Sequence, residues 1–335
     1  MPRYSVQSKY IMNLRPIGFK FGLFLTVIFG GCAGLDTRLP EISAPDLAKE
    51  TQFQETEALR KIESDAGKLL NAAWPVLTAN ADLCPKVRPA IGVKTHSLES
   101  YPKRLRSTSR TVLGADETIR ILHIAKDSPA ASAGFKRGDI ILNDASEPAK
   151  LDSDSWKTIL SDNFVKVRRG DKDIRLMVEP VTACDYKPRL ISSTAINAYA
   201  DGRNITFTTA MMEFTQSENE LAMIIGHELA HNTMGHIRKV IGNYIFSLGA
   251  TRYTRPFESE ADYVGLYYLA RAGYSTEGVE DFWQRLAKVS PKSINRAKTH
   301  PTFPDRYLRI KAARKEILAK QEAGVPVYPN FVGKG

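Results

Sequence analysis

The chain has 335 residues, with 47 Lys+Arg against 37 Asp+Glu, a formal net charge of +10, and 43% hydrophobic and 25% charged residues. Those proportions exclude a disordered chain, and the length exceeds one small domain and suits two or three. The positive balance favours anionic surfaces in general. No basic run interleaved with aromatics appears, so nucleic acid is not an expected partner.

Lys9, Arg15 and Lys20 precede an apolar run, FGLFLTVIFGG, from Phe21 to Gly31. The run is well short of the roughly 20 residues a spanning helix needs, and its charged lead-in reads as an export signal. It ends in GGCAG, where small residues before Cys32 resemble a bacterial lipobox, with Phe29 in place of the usual Leu. Residues 1–31 are therefore expected to be a lipoprotein-type signal peptide and Cys32 a lipidation site. Ala33 after the Cys resembles the sorting pattern for the outer membrane, so the expected place is the periplasm, anchored through lipid at the inner face of that membrane.

Residues 32–85 are expected to form a tether followed by an amphipathic helix. Leu47, Phe53, Leu59, Ile62, Leu69, Leu70 and Trp74 recur at helical spacing between Asp46 and Asn80, and Pro75 is expected to disturb the helix end.

Residues 86–184 change to short β-like runs: AIGV, TIRILHIA, DIIL, FVKVRR and DIRLMVEP. Between them KDSPAASAGFKRGDIIL, Lys126 to Leu142, resembles the centre of a PDZ domain, and Gly170-Asp171 reads as a closing hairpin turn. The resemblance implies a small β-rich PDZ-like domain. The stretch nearest to a carboxylate-binding loop is VLGAD, Val112 to Asp116, whose acidic residue disfavours a terminal carboxylate; strand addition by an internal segment is the remaining mode. Cys84 and Cys184 flank this segment, and an even remainder after Cys32 in an exported chain suggests a disulfide between them.

Residues 186–323 read as mainly helical, with 324–335 as a tail. The exception is Ile196–Phe214, which holds a Gly-centred turn and the strand-like ITFTT. QSENELAMIIGHELAHNTMGHIRKV then reads as one long helix, with Ser217 and Glu220 in the capping-box pattern. Three of the six histidines fall here, at 227, 231 and 236. HELAH is H-E-x-x-H, and positions i and i+4 share a helix face, so His227 and His231 can reach one ion. Glu228 sits one position round, suited to a general base. Zinc needs a further protein ligand, and Glu258, Glu260 and Asp262 cluster at the start of FESEADYVGLYYLARAGY.

HELAH with Gly235-His236, then E-x-E-A-D, resembles the gluzincin family of zinc metallopeptidases that contains HtpX, Oma and the CAAX prenyl endopeptidases, in its soluble periplasmic, BepA-like type. The resemblance implies that Glu258 is the third ligand of one Zn²⁺ per chain, with Glu260 the competing assignment, and that Asp262 supports a metal-binding His. In AKTHPTFPDRYLRI it implies catalytic roles for His300 and Arg306, at an oxyanion or on substrate. His236 is expected to pack or hydrogen-bond. The expected architecture is multi-domain α+β: a mainly helical zincin-type metallopeptidase domain preceded by the PDZ-like domain. The expected activity is hydrolysis of unfolded or misassembled envelope proteins. The alternative is an assembly factor or chaperone-like binding protein in which proteolysis is secondary.

Overall fold

The computed structural model describes residues 39–150, 153–239, 255–289 and 303–331, and the expected signal peptide, Cys32 and His300 lie outside the described residues. From Pro45 onward the chain belongs to one unit, distinct from residues 1–44.

Helix α1, Ala44–Ala79, is a single helix that runs through Pro75. The expected disturbance is absent because the end is tied down by side chains. Thr78 Oγ1 donates to the Trp74 carbonyl at 2.9 Å, and Asn80 Nδ2 donates to those of Val76 at 2.9 Å and Tyr268 at 3.0 Å. The single backbone bond that Pro75 cannot make is outweighed locally.

Strands β1 (Val87–Ala90) and β7 (Val181–Cys184) pair antiparallel and close the ends of the β-rich segment. Between them β2 (Val93–His96), β3 (Arg120–Ile124), β4 (Ile140–Ile141), β5 (Phe164–Arg169) and β6 (Lys172–Met177) form an antiparallel sheet in chain order. Three short helices, α2 (Arg106–Leu113), α3 (Pro129–Ser132) and α4 (Ser153–Ile159), lie between those strands. Ile91, Ile121, Ile141, Val165 and Val167 fill the core of this segment. Just outside it the structure joins Cys84 to Cys184 by a disulfide, with Cα atoms 5.5 Å apart.

VLGAD ends α2, with Gly114 as the left-handed C-cap at φ 68°, and Asp116 accepts from Arg120 Nε at 3.0 Å and the Thr118 amide at 2.9 Å. The left-handed glycine next to the free edge of β2 is Gly92, φ 82°. Ile91, Gly92 and Val93 line a cavity of about 620 Å³ walled by α1, by Trp156 and Leu160, and by β8 (Lys187–Ile191).

The remaining strands form a small sheet, β8–β10–β9, with β9 at Ala198–Ala200 and β10 at Asn204–Thr208. ITFTT is thus largely the central strand, parallel to β8 and antiparallel to β9. It has no free edge; β9 does. Helices α5 (Thr209–Phe214), α6 (Glu218–Thr233), α7 (Arg255–Arg271), α8 (Val279–Val289) and α9 (Phe303–Glu322) follow. Their core joins Ile225, Leu229, Tyr267, Leu269 and Ile317 to Leu69, Val76 and Leu77 of α1. No helix among the described residues is long and apolar enough to cross a membrane.

Candidate metal centre

Helix α6 starts where Ser217 Oγ accepts from the Glu220 amide at 3.1 Å, while Glu220 reaches back to the Gln216 amide at 2.9 Å. That variant of the capping box fixes the register of the apolar run Leu221–Ile225, all buried. Burying that run carries His227 and His231 inward on one face. Helix α6 stops short of the long helix expected from sequence. Gly235 takes φ 67°, a left-handed position that ends helices cheaply only with glycine, and the chain turns before His236.

Helix α7 crosses α6 at a glycine pair. A Cβ on Gly226 would stand 2.7 Å from the Gly265 carbonyl oxygen, so the two backbones are in direct contact. This contact brings the carboxylates of α7 beside the imidazoles of α6. The Nε2 atoms of His227 and His231 are 3.1 Å apart. Glu258 lies 3.6 Å from the first and 3.5 Å from the second. His227 is 5% exposed and Glu258 9%.

Behind the histidines, Asp262 Oδ1 sits 3.0 Å from His227 Nδ1, in a bent approach. Arg306 of α9 forks onto Asp262 through Nε at 2.5 Å and Nη2 at 2.9 Å, and its guanidinium lies 3.5 Å from the centre of the Trp283 ring. Burial works against the charged forms here, but it is overcome. Arg306 and His227 hold the Asp262 carboxyl below its usual range, and Asp262 with Glu258 raises His227 to about 10. With Nδ1 facing Asp262, the Nε2 of His227 is left pointing at its neighbour's Nε2. Two facing ring nitrogens beside a carboxylate are stable only around a shared cation or proton.

The group fits a metal. One ligand atom from each of His227, His231 and Glu258 lies within 4.8 Å of the others. Nitrogens bound to one zinc at about 2.0–2.1 Å would be roughly 3.1–3.4 Å from each other, which matches the observed 3.1 Å. Glu260 is not in this group; its Oε2 is 2.8 Å from His236 Nε2. Glu228 is 7% exposed, and its carboxylate makes no hydrogen bond or ion pair among the described residues. Besides its fork onto Asp262, Arg306 Nη2 lies 3.7 Å from Glu258 Oε2.

Three contributions escaped sequence reasoning. The Gly226–Gly265 crossing is one, and small residues on the faces of both helices were its only signal. Trp283, which carries Arg306 and lies 5.8 Å from the His227 ring, gave none. Asn232 is the third: its Oδ1 accepts from the Gly202 amide at 2.7 Å and its Nδ2 donates to the Asn204 carbonyl at 3.1 Å. It ties the β9–β10 turn to the helix bearing the histidines.

A helix carrying H-E-x-x-H, completed by a carboxylate from a second helix, is the arrangement of a zincin-type metallopeptidase. The model of peptidase family M48 matches residues 177–250 and 237–317, so this part of the chain is similar to that family. Among similar proteins is the beta-barrel assembly-enhancing protease of Yersinia pestis, 27% identical over 157 residues, 36% of this chain and 32% of that protein. Another is the mitochondrial metalloendopeptidase OMA1 of Arabidopsis thaliana, 24% identical over 170 residues, 43% of this chain and 35% of that protein. The chain thus spans about a third of the length of these relatives. Among solved structures, the HtrA3 PDZ domain bound to a phage-derived ligand is similar at 21% identity and a TM-score of 0.22, over 29% of this chain and 88% of that one.

Proposed function

We propose that this chain is a zinc-dependent endopeptidase of the bacterial cell envelope that cleaves unfolded or misassembled envelope proteins. One observation carries the reading: two imidazole Nε2 atoms face each other at 3.1 Å beside Glu258, with the buried carboxylate of Glu228 next in sequence and without a hydrogen bond among the described residues. His227, His231 and Glu258 would hold one zinc per chain, which would supply Lewis acidity to the scissile carbonyl and ease proton loss from water. Glu228 takes that proton on its free carboxylate and returns it to the leaving amine nitrogen. Asp262 orients His227, and Arg306 acts through Asp262 rather than on substrate. His300 is assigned a role facing substrate on the family resemblance alone.

The free edge of β9, tied to α6 by Asn232, would take an extended substrate as an added strand. Strand addition selects flexible or unfolded chains. The PDZ-like segment 86–184 would recruit such chains along the edge of β2, in the cavity beside Gly92. A lipid on Cys32 would hold the protein at the periplasmic face of the outer membrane, within reach of misassembled envelope proteins, and the similarity to beta-barrel assembly-enhancing proteases supports that class of substrate.

A second reading, an assembly factor in which proteolysis is secondary, is favoured by one observation: the cavity shares no residue with the metal group. Elemental analysis and casein degradation by wild type, Glu228→Gln and Glu258→Gln test both. The peptidase reading expects one zinc in wild type and Glu228→Gln, none in Glu258→Gln, and hydrolysis only in wild type. A wild type without zinc ends that reading; a biological role that survives Glu228→Gln favours the second.

A further inference from the structure

His236 is fully buried, 0% exposed, and sequence offered no role for it beyond packing or hydrogen bonding. Its ring stacks on Phe257, with centroids 4.9 Å apart and planes 24° from parallel. Its Nδ1 is 3.1 Å from His231 Nδ1 and its Nε2 is 2.8 Å from Glu260 Oε2. Only one arrangement of protons satisfies this chain while leaving His231 able to ligate. The ionised Glu260 only accepts, so His236 carries its proton on Nε2 and donates it there. His236 Nδ1 then offers a lone pair and must accept from His231 Nδ1–H. The proton of His231 is thereby held on Nδ1, and its Nε2 lone pair is left toward His227 and Glu258.

We infer that His236 and Glu260 are positioning residues that lock His231 in its metal-ligating tautomer and ring orientation, doing for His231 what Asp262 and Arg306 do for His227. This rests on the metal reading of His227, His231 and Glu258. It also gives Glu260 a function other than the competing third ligand. The left-handed Gly235 is part of the device, because the chain must turn there for His236 to come back against His231. Partners of this kind behind a metal-binding imidazole typically change metal affinity by about 10–100-fold when removed.

The test is the zinc dissociation constant of the full chain by chelator competition, for wild type, His236→Ala, His236→Asn, Glu260→Gln and His231→Ala. Melting of each metal-free protein is followed in parallel. His236→Ala is expected to weaken zinc by about 10–100-fold. His236→Asn should recover most of that, because its amide oxygen can accept the same His231 proton. Glu260→Gln keeps an acceptor for His236 and should have the smaller effect, and His231→Ala should abolish binding. Histidine ring NMR adds a readout that packing alone would not move: a His231 Nδ1 proton protected from solvent exchange in wild type and lost in His236→Ala. If His236→Ala does not fold, the Asn variant and the wild-type proton still decide. The inference is overturned if His236→Ala binds zinc like wild type, or if Asn is as weak as Ala while both metal-free proteins melt normally, or if the proton exchanges freely. Absence of zinc binding by the wild type itself overturns the metal reading, and this inference with it.

Discussion

Gly265→Ala should disable the metal centre without touching any ligand. The added methyl would stand 2.7 Å from the His227 amide nitrogen, 2.8 Å from its Cα and 2.9 Å from the Gly226 carbonyl carbon. Comfortable carbon contacts lie at about 3.5–4.0 Å, so the shortfall is roughly 0.7–1 Å. All three neighbours are backbone, and no side chain can swing aside. Helices α6 and α7 must part. Helix α6 carries His227 and His231; α7 carries Glu258 and Asp262. Metal–ligand distances tolerate about 0.2 Å, several times less than the required displacement. Overpacking of this kind costs about 1–3 kcal/mol, and each kcal/mol lowers the melting temperature by about 2–4 °C for a unit of this size. Zinc affinity is expected to fall about tenfold or more, the range seen when ligand orientation is disturbed. Thermal melting of the metal-free protein and a chelator-competition titration read the two effects separately. A Gly265→Ala protein that melts like wild type and binds zinc as tightly would refute the claim that the glycine contact sets the site.

Arg306→Ala leaves Asp262 buried without its fork, and removing one partner of a buried pair costs about 3–5 kcal/mol; denaturant unfolding checks this, and Arg306→Lys, which cannot fork, should fall between. Acidification should show the same pair. The depressed folded value of Asp262 contributes stability that is present above the unfolded carboxyl value of about 4 and is lost as pH falls through the folded value, so Asp262→Asn should flatten the acid limb of stability against pH. Reducing the Cys84–Cys184 bond, which closes a span of 100 residues, should cost about 4–5 kcal/mol in the chain-entropy model, and an unchanged melting temperature in reductant would contradict it.

His227 and His231 were legible as candidate ligands because their chemistry depends on spacing within one helix, and i, i+4 spacing is visible in a sequence. Glu258 stood out as a candidate only through resemblance, since nothing local separates it from Glu260. What separates them is helix phase: two positions along α7 put one carboxylate toward His231 Nε2 and the other toward His236. In the β-rich segment TIRILHIA, DIIL, FVKVRR and DIRLMVEP hold β3 to β6, because alternation and Gly-Asp turns are local signals, whereas AIGV falls across the break between β1 and β2, and β7 was not read. VLGAD and AIGV each carry one glycine, and only the pairing of β2 with β3 reveals which glycine borders a free edge. ITFTT was legible as a strand, but not its place between β8 and β9, since a strand's neighbours depend on contacts that its own residues do not encode. The end of α6 turned on Gly235, a residue that helices tolerate but that here adopts the left-handed conformation. Pro75 erred in the opposite direction, its local penalty overridden by Asn80, which bonds back to Val76 and across to Tyr268 and Arg271 of α7, far along the chain.

The β-rich segment can be tested as a separable module. The core that joins α1 to α5–α9 contains no residue between Cys84 and Cys184. A small apolar cluster, Trp74 with Ala90, Ala125 and Ala183, bridges α1 to the segment, together with polar contacts of Glu55 to Thr108, Glu63 to Arg137 and Asn71 to the Lys126 amide. Because the Cα atoms of Cys84 and Cys184 are 5.5 Å apart and consecutive Cα atoms are about 3.8 Å apart, one glycine suffices to join them. A chain lacking Pro85–Ala183, with both cysteines changed to Ala and a single Gly between them, should fold and bind zinc like the parent. It should melt lower, because Trp74 loses its cover and the Glu55–Thr108 bond across to α2 is gone. If the segment recruits substrate, the shortened protein should still cut a short peptide but should degrade casein more slowly. A shortened chain that cannot hold zinc would mean that α1, anchored on both sides, makes the two cores one cooperative body, and the boundaries at 86 and 184 would then mark no domain.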